Sequence, residues 1–195
     1  QKDIFKRLIV DFQEKEDFPI VDRNIAIPLD INKIISLIGV RRSGKTFILY
    51  TLINKLRKGL DRRNIVYINL EDDRLFPLQL NDLNNLLESY YELYPGKKGE
   101  TVYFFFDEIQ NAPNWERFIR RLYDTENCRI FITGSSSKLL NKEIATALRG
   151  RTLSFEIFPL SFKEFLLALG ELPLKQYLEE ISLKEKPSEP VHQKL

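Results

Sequence analysis

Gly39-Val40-Arg41-Arg42-Ser43-Gly44-Lys45-Thr46 fits the pattern G-x-x-x-x-G-K-[ST]. The apolar run Ile34-Ile35-Ser36-Leu37-Ile38 comes just before it and reads as a buried strand. Phe47-Ile48-Leu49-Tyr50-Thr51-Leu52-Ile53 comes just after it and can open a helix. Strand, glycine-rich turn and helix start are the context in which this pattern is a phosphate-binding P-loop. The glycines let the backbone curl and bring successive N–H groups onto one concave side. The helix that follows points the positive end of its dipole at the same place. Gly39, Arg41, Arg42, Ser43, Gly44, Lys45, Thr46 and Phe47 are therefore the candidate nucleotide-binding residues. Lys45 is expected to reach the β- and γ-phosphates, and the Thr46 hydroxyl to ligate Mg²⁺.

Outward from the loop, apolar runs and helical patterns alternate. Asp3 to Glu16 carries Ile4, Phe5, Leu8, Ile9 and Phe12 at helical spacing, with Asp3 as a candidate cap. Pro19 and Pro28 bracket an extended lead-in, in which Ile20 and Val21 are candidates either for an adenine contact or for ordinary core. The P-loop helix is expected to reach about Leu60, with Gly59 as its stop. Ile65 to Asn69 reads as a second strand, and it runs into Glu71-Asp72-Asp73-Arg74. That acidic stretch is either a solvated loop or part of a site at the carboxyl edge of the sheet. A helix from Leu80 to Tyr94, stopped by Pro95-Gly96, leads to a third strand from Val102. A helix around Trp115 to Leu122, a fourth strand from Arg129 to Thr133, a helix from Lys138 to Leu148 and a fifth strand from Thr152 to Phe158 follow. Ser161-Phe162-Lys163-Glu164 is a capping box that starts a helix ended by Gly170. Pro173 leads into a last amphipathic piece, and the charged stretch from Lys184 onward is expected to be a tail or linker. Short apolar strands separated by helices imply an α/β fold with a doubly wound parallel sheet.

Composition removes several function classes. The 195 residues suffice for one α/β domain plus a small appendage, and 43% hydrophobic residues can fill its core. A net charge of +2 lacks the basic footprint of a dedicated nucleic-acid binder. One cysteine, Cys128, and one histidine, His192, leave no disulfide framework, no cysteine-based metal site and little room for histidine catalysis. No apolar stretch has bilayer length and no signal peptide opens the chain, so a cytoplasmic protein without membrane association is the expectation. The chain opens on Gln1 and contains no methionine, so Gln1 is not expected to be the native start.

Two further stretches carry chemistry. Tyr103-Phe104-Phe105-Phe106 ends in Asp107-Glu108, the form of a Walker B strand. There Asp107 is expected to hold Mg²⁺, and Glu108 to orient or deprotonate the attacking water. Thr133-Gly134-Ser135 closes the fourth strand with polar groups. Ser135, or failing it Thr133, can sense the γ-phosphate, while Ser136 and Ser137 can cap the next helix. Arg149-Gly150-Arg151 precedes the fifth strand. These arginines are either an arginine finger or cations at a helix end.

Together these stretches resemble the AAA+ ATPases, and more narrowly a prokaryotic, largely archaeal, group of them. The resemblance runs from about Phe18 to Leu169. It rests on the P-loop with its paired arginines, on Phe105-Phe106-Asp107-Glu108-Ile109-Gln110 and on Thr133-Gly134-Ser135-Ser136. It rests also on Leu148-Arg149-Gly150-Arg151 and on Pro159-Leu160-Ser161-Phe162-Lys163-Glu164-Phe165. It implies strand order 5-1-4-3-2, an ATPase core over residues 1–159, a partial helical lid over 160–183, and a tail over 184–195 leading to a C-terminal domain that this chain does not contain. Two positions depart from the family pattern: Ser135 stands where asparagine is usual, and no arginine after Phe165 matches a second sensor.

The function that follows is ATP hydrolysis to ADP and phosphate with Mg²⁺, with Lys45, Glu108 and Ser135 at the γ-phosphate. An arginine, Arg149 or Arg151, either of the same subunit or of a second subunit in a homo-oligomer, would complete the site. The alternative is a slow nucleotide-dependent switch or scaffold that acts through protein or nucleic-acid partners. A small-molecule kinase lacks any residue signal for an acceptor pocket. Guanine reading is not expected, because Asn54-Lys55-Leu56-Arg57 lacks the aspartate of N-K-x-D and lies inside the P-loop helix.

Overall fold

The computed structural model describes residues 1–18, 20, 23, 25–79, 81–135, 148, 150–162 and 164–165. They fall into two units, one of Gln1–Ile20 with Asn24–Pro159 and one of Val21–Arg23 with Leu160–Leu195.

In the first unit, β1 (Ile34–Gly39), β2 (Ile65–Asn69), β3 (Val102–Asp107), β4 (Cys128–Ser135) and β5 (Thr152–Glu156) form one sheet in the order β2-β3-β4-β1-β5. All four neighbouring pairs are parallel. This is the strand order that the family resemblance implied. β1 and β3 are buried at every position, because each has neighbours on both sides and helices over both faces. A parallel strand in that position reads as an unbroken apolar run rather than an alternating one.

Period-two alternation still decides which face each side chain takes. Phe104 and Phe106 join Ile34, Ile38, Val66, Ile68, Ile130 and Ile132 beneath α3 (Asp82–Leu93) and α4 (Trp115–Thr125). Phe105, Tyr103, Tyr67, Ile35, Leu37 and Phe131 face α2 (Lys45–Arg57). The Phe105 and Phe131 rings stack there at 4.5 Å. α1 (Lys2–Glu14) straddles the β2 edge, placing Phe5 and Ile9 in one cluster and Phe12 in the other. The buried Arg57 guanidinium ties the helices together by donating to the carbonyls of Phe12, Lys15 and Glu16.

Several boundaries differ from the expectation. Asp3 does not cap α1: the helix starts at Lys2 and Asp3 lies in its first turn, where its charge favours the dipole. α2 stops at Arg57, before Gly59. The carboxylate of Asp72 accepts from the Arg74 N–H and closes a short 3-10 turn, which orders the acidic stretch after β2.

In the second unit the capping box is formed in both directions. The Ser161 N–H donates to Glu164 Oε2 at 2.8 Å, and the Glu164 N–H donates to Ser161 Oγ at 3.3 Å. Arg23 Nε also reaches Glu164, at 3.2 Å. Val21, Ser136 and Ser137, the helix expected over Lys138–Leu148 apart from its last residue, Arg149, and the lid and tail beyond Phe165 lie outside the described residues, while Leu148 is buried in the core.

Candidate active site

The site begins where β1 ends. Gly39 lies against the chain leaving β5: the Ile157 N–H donates to Ile38 O at 2.6 Å, and a Cβ on Gly39 would stand 2.1 Å from Ile157 O. No side chain fits that approach. Gly39→Ala must push the β5 exit away from the loop, an overpacking change that costs about 1–3 kcal/mol. Chemical denaturation of the variant is expected to show that loss. Gly44 takes φ 91°, a left-handed conformation that costs glycine nothing, and N-caps α2.

Lys45 and Thr46 open α2, facing the end of the sheet. The Lys45 ammonium is 4% exposed and donates to the carbonyls of Gly39 at 3.0 Å and Val40 at 3.1 Å. It also lies 3.6 Å from Glu108 Oε1. A buried ammonium needs such partners, and a phosphate anion offers it stronger ones. Arg41, Arg42 and Phe47 are exposed at the mouth, and Arg41 meets Glu71 at 3.4 Å. Ser43 is buried within the loop.

The neighbouring carboxylates of Asp107 and Glu108 have different surroundings. Asp107 is 2% exposed, and among the described residues its carboxylate is bound by three hydroxyls. Thr46 donates to Oδ2 at 2.8 Å, Tyr67 donates to Oδ2 at 2.9 Å, and Thr133 donates to Oδ1. Burial first, then the Asp107 charge, pushes the Tyr67 phenol far up, so it stays a donor. Glu108 takes a left-handed backbone, φ 52°, unusual for a residue with a side chain. Its N–H donates to Thr133 Oγ1 at 2.9 Å, which fixes that turn. Its carboxylate accepts from Gln110 Nε2 at 2.7 Å and from Ser135 Oγ at 2.8 Å. Burial alone would raise the Glu108 pKa, but the bonds from Gln110 and Ser135 and the nearby Lys45 charge together hold it below its ordinary value.

That shift has a sign. A depressed carboxylate contributes stability that is complete above its unfolded value of 4.5 and is lost as pH falls through the lower folded value. Carbon-13 NMR titration of Glu108 is expected to give a midpoint below 4.5, which Ser135→Ala should raise.

Thr46, Asp107, Glu108, Lys45 and Ser135 thus converge at the carboxyl end of β1, β3 and β4. Arg151 does not. It precedes β5 at the end paired with Ile34, so about 15 Å of strand separates it from the P-loop end. Its guanidinium pairs with Asp124 of α4 at 3.1 Å. A cavity of about 560 Å³ opens beside β2, lined by Leu8, Phe12, Tyr50, Tyr67, Asn69 and Arg74 among others, and no P-loop residue faces it. Ile20 is 43% exposed.

A hard divalent cation fits this site. The donors are a carboxylate and a hydroxyl, both oxygens, as Mg²⁺ requires. Among the described residues, no group of three or more acidic, histidine or cysteine side chains is placed to hold a metal. Mg²⁺ in nucleotide sites needs none, because it takes one or two protein carboxylates plus phosphates and water.

The sequence reading missed Tyr67 and gave Gln110 no role. Tyr67 could have been found by parity: it lies two residues before the end of β2, on the face that also holds Phe105.

A family model described as AAA domain matches residues 31–166. This chain belongs to the AAA domain family. It is 48% identical over 167 residues to the uncharacterized protein MJ1544 of Methanocaldococcus jannaschii, covering 85% of this chain and 36% of that protein. It is 40% identical over 141 residues to an uncharacterized protein of Haemophilus influenzae, covering 71% and 34%. The chain therefore spans about a third of the length of these curated relatives. The Orc1 protein of Aeropyrum pernix, solved in complex with DNA, superposes with a TM-score of 0.50 at 13% identity, covering 71% of this chain and 44% of that one. At that identity the likeness concerns the fold alone. This AAA domain is a nucleotide-binding protein of the AAA+ P-loop type. Among its described residues, no helix is long and apolar enough to cross a membrane.

Proposed function

We propose that this AAA domain binds ATP with Mg²⁺ and hydrolyses it to ADP and phosphate. The observation that carries the reading is the placement of Glu108. Its carboxylate is held in the charged form 3.6 Å from the P-loop lysine, while the neighbouring Asp107 bonds the P-loop threonine. One carboxylate is thus left for water and the other for the metal.

The loop N–H groups and the start of α2 hold the phosphates. Lys45 leaves its carbonyl partners for the β- and γ-phosphate oxygens. Thr46 and Asp107 would hold Mg²⁺, which would supply neutralisation of the charge that develops on the phosphates. Glu108 accepts the proton of a water as its oxygen bonds to the γ-phosphorus, and the bond to the ADP oxygen breaks. Ser135, bonded to Glu108, keeps that carboxylate aimed and is the group through which the γ-phosphate is sensed. Arg151, with Arg149, acts on a neighbouring copy, because its end of β5 is remote from its own P-loop.

Lys45→Ala tests the binding half. It removes a charge-assisted contact worth roughly 1.5–3 kcal/mol, so ATP affinity should fall by about tenfold or more in a calorimetric titration. Affinity equal to the unmodified protein would remove the P-loop reading.

A further inference from the structure

Tyr67 stands in β2, outside every motif that marks this site. Its ring is 7% exposed and stacks on Phe12 of α1 at 4.5 Å. Its neighbours on that face, Ile65, Tyr103 and Phe105, are packed with α2 in the same cluster. A phenylalanine would fill the same space. The hydroxyl adds two bonds, one given to Asp107 Oδ2 at 2.9 Å and one shared with the Tyr50 hydroxyl, and only the first touches the site. The Tyr50 hydroxyl lies 3.4 Å behind it.

An ionised carboxylate offers about four acceptor positions. Thr46 and Tyr67 take those of Oδ2, and Thr133 takes one of Oδ1. Among the bonds made by the described residues, a single position, on Oδ1, is left for a cation or a water bound to it. Thr46 is itself expected at the metal, so it cannot serve as a fixed support. Tyr67 can, because its ring is clamped between α1 and α2.

We propose that Tyr67 is a positioning residue for the metal site: its hydroxyl fixes the rotation of the Asp107 carboxylate so that the remaining lone pair of Oδ1 faces the cation. This rests on the nucleotide-hydrolysis reading above. Hydrogen-bond partners of metal-binding groups typically contribute 10–100-fold to metal affinity, so removal of this one should be visible.

The test measures binding rather than turnover. The affinity of a fluorescent non-hydrolysable ATP analogue is determined with Mg²⁺ and again with EDTA, and Mn²⁺ uptake by the analogue complex is followed by electron paramagnetic resonance. The proteins are the unmodified chain, Tyr67→Phe and Tyr50→Phe. Tyr67→Phe should keep the affinity seen in EDTA, since Lys45 and the loop are intact. It should lose about tenfold or more of the gain from Mg²⁺ and of the Mn²⁺ affinity. Tyr50→Phe should keep most of both. Tyr67→Phe with the full Mg²⁺ gain overturns the proposal while leaving the hydrolysis reading in place. Equal losses in Mg²⁺ and EDTA overturn it too, since they mark a purely structural role. An unmodified protein with no Mg²⁺ gain removes the hydrolysis reading, and the proposal with it.

Discussion

Glu108→Gln is expected to retain ATP while its hydrolysis rate falls by about 10²–10⁴-fold, the range of a positioned general base. The substitution keeps the side-chain volume and can still accept from Ser135 and Gln110, whose bonds to Glu108 measure 2.8 and 2.7 Å. Lys45 and Thr46 remain, so the phosphates still bind. What is lost is the basic oxygen. Rapid-quench measurement of ADP formation, beside a calorimetric titration of ATP, separates the two effects. A variant that hydrolyses at nearly the unmodified rate would mean that Glu108 does not take the proton from water. The slow-switch reading would then gain.

A second large effect is expected at the arginines. A finger supplied by a neighbouring subunit contributes on the order of 10³–10⁵ in rate in well-characterised nucleotide hydrolases. Arg149→Ala/Arg151→Ala should therefore be close to inactive. Mixing it with Lys45→Ala should restore activity, because the lysine variant supplies arginines to the intact P-loop of its neighbour. Head-to-tail contacts of this kind form rings or open filaments, so activity per subunit of the unmodified protein should rise with concentration. Asp124→Asn is the control: it breaks the 3.1 Å pair with Arg151 and leaves the arginine in place. Loss of activity in Asp124→Asn equal to that of the double variant, with no rescue on mixing, would make Arg151 a structural partner of α4.

The strands other than β5 were legible because that part of the sheet is buried on both faces, whereas β5 at the edge is largely exposed. Ile65–Asn69 and Val102–Asp107 are unbroken apolar runs ending in a polar residue, and they form β2 and β3. The order of the strands was not in the pattern of residues. It came from the family resemblance, carried by Leu148–Arg151 and Pro159–Phe165 as well as by the P-loop, the Asp107-Glu108 stretch and the end of β4. The start of α1 was misread because Asp3 looks like a cap, while the helix is entered at Lys2 from Gln1, whose amide reaches Leu75 O and Asp82. Tyr67 was passed over because tyrosine is an ordinary strand former. Its contact with Asp107 depends on register: Asn69, not Tyr67, lies opposite Asp107. Gln110 reaches Glu108 only because a left-handed residue and a 3-10 turn, Ile109–Asn111, fold it back. Nothing in the local sequence marks that turn.

The most direct measurement follows phosphate release from ATP by the unmodified protein, with Mg²⁺ and with EDTA, over a range of protein concentrations and beside Glu108→Gln. Equal amounts of ADP and phosphate should form with Mg²⁺, and release should stop in EDTA and in the variant. ATP bound with Mg²⁺ present, but with no phosphate release above that of Glu108→Gln at any protein concentration, would contradict hydrolysis at this site.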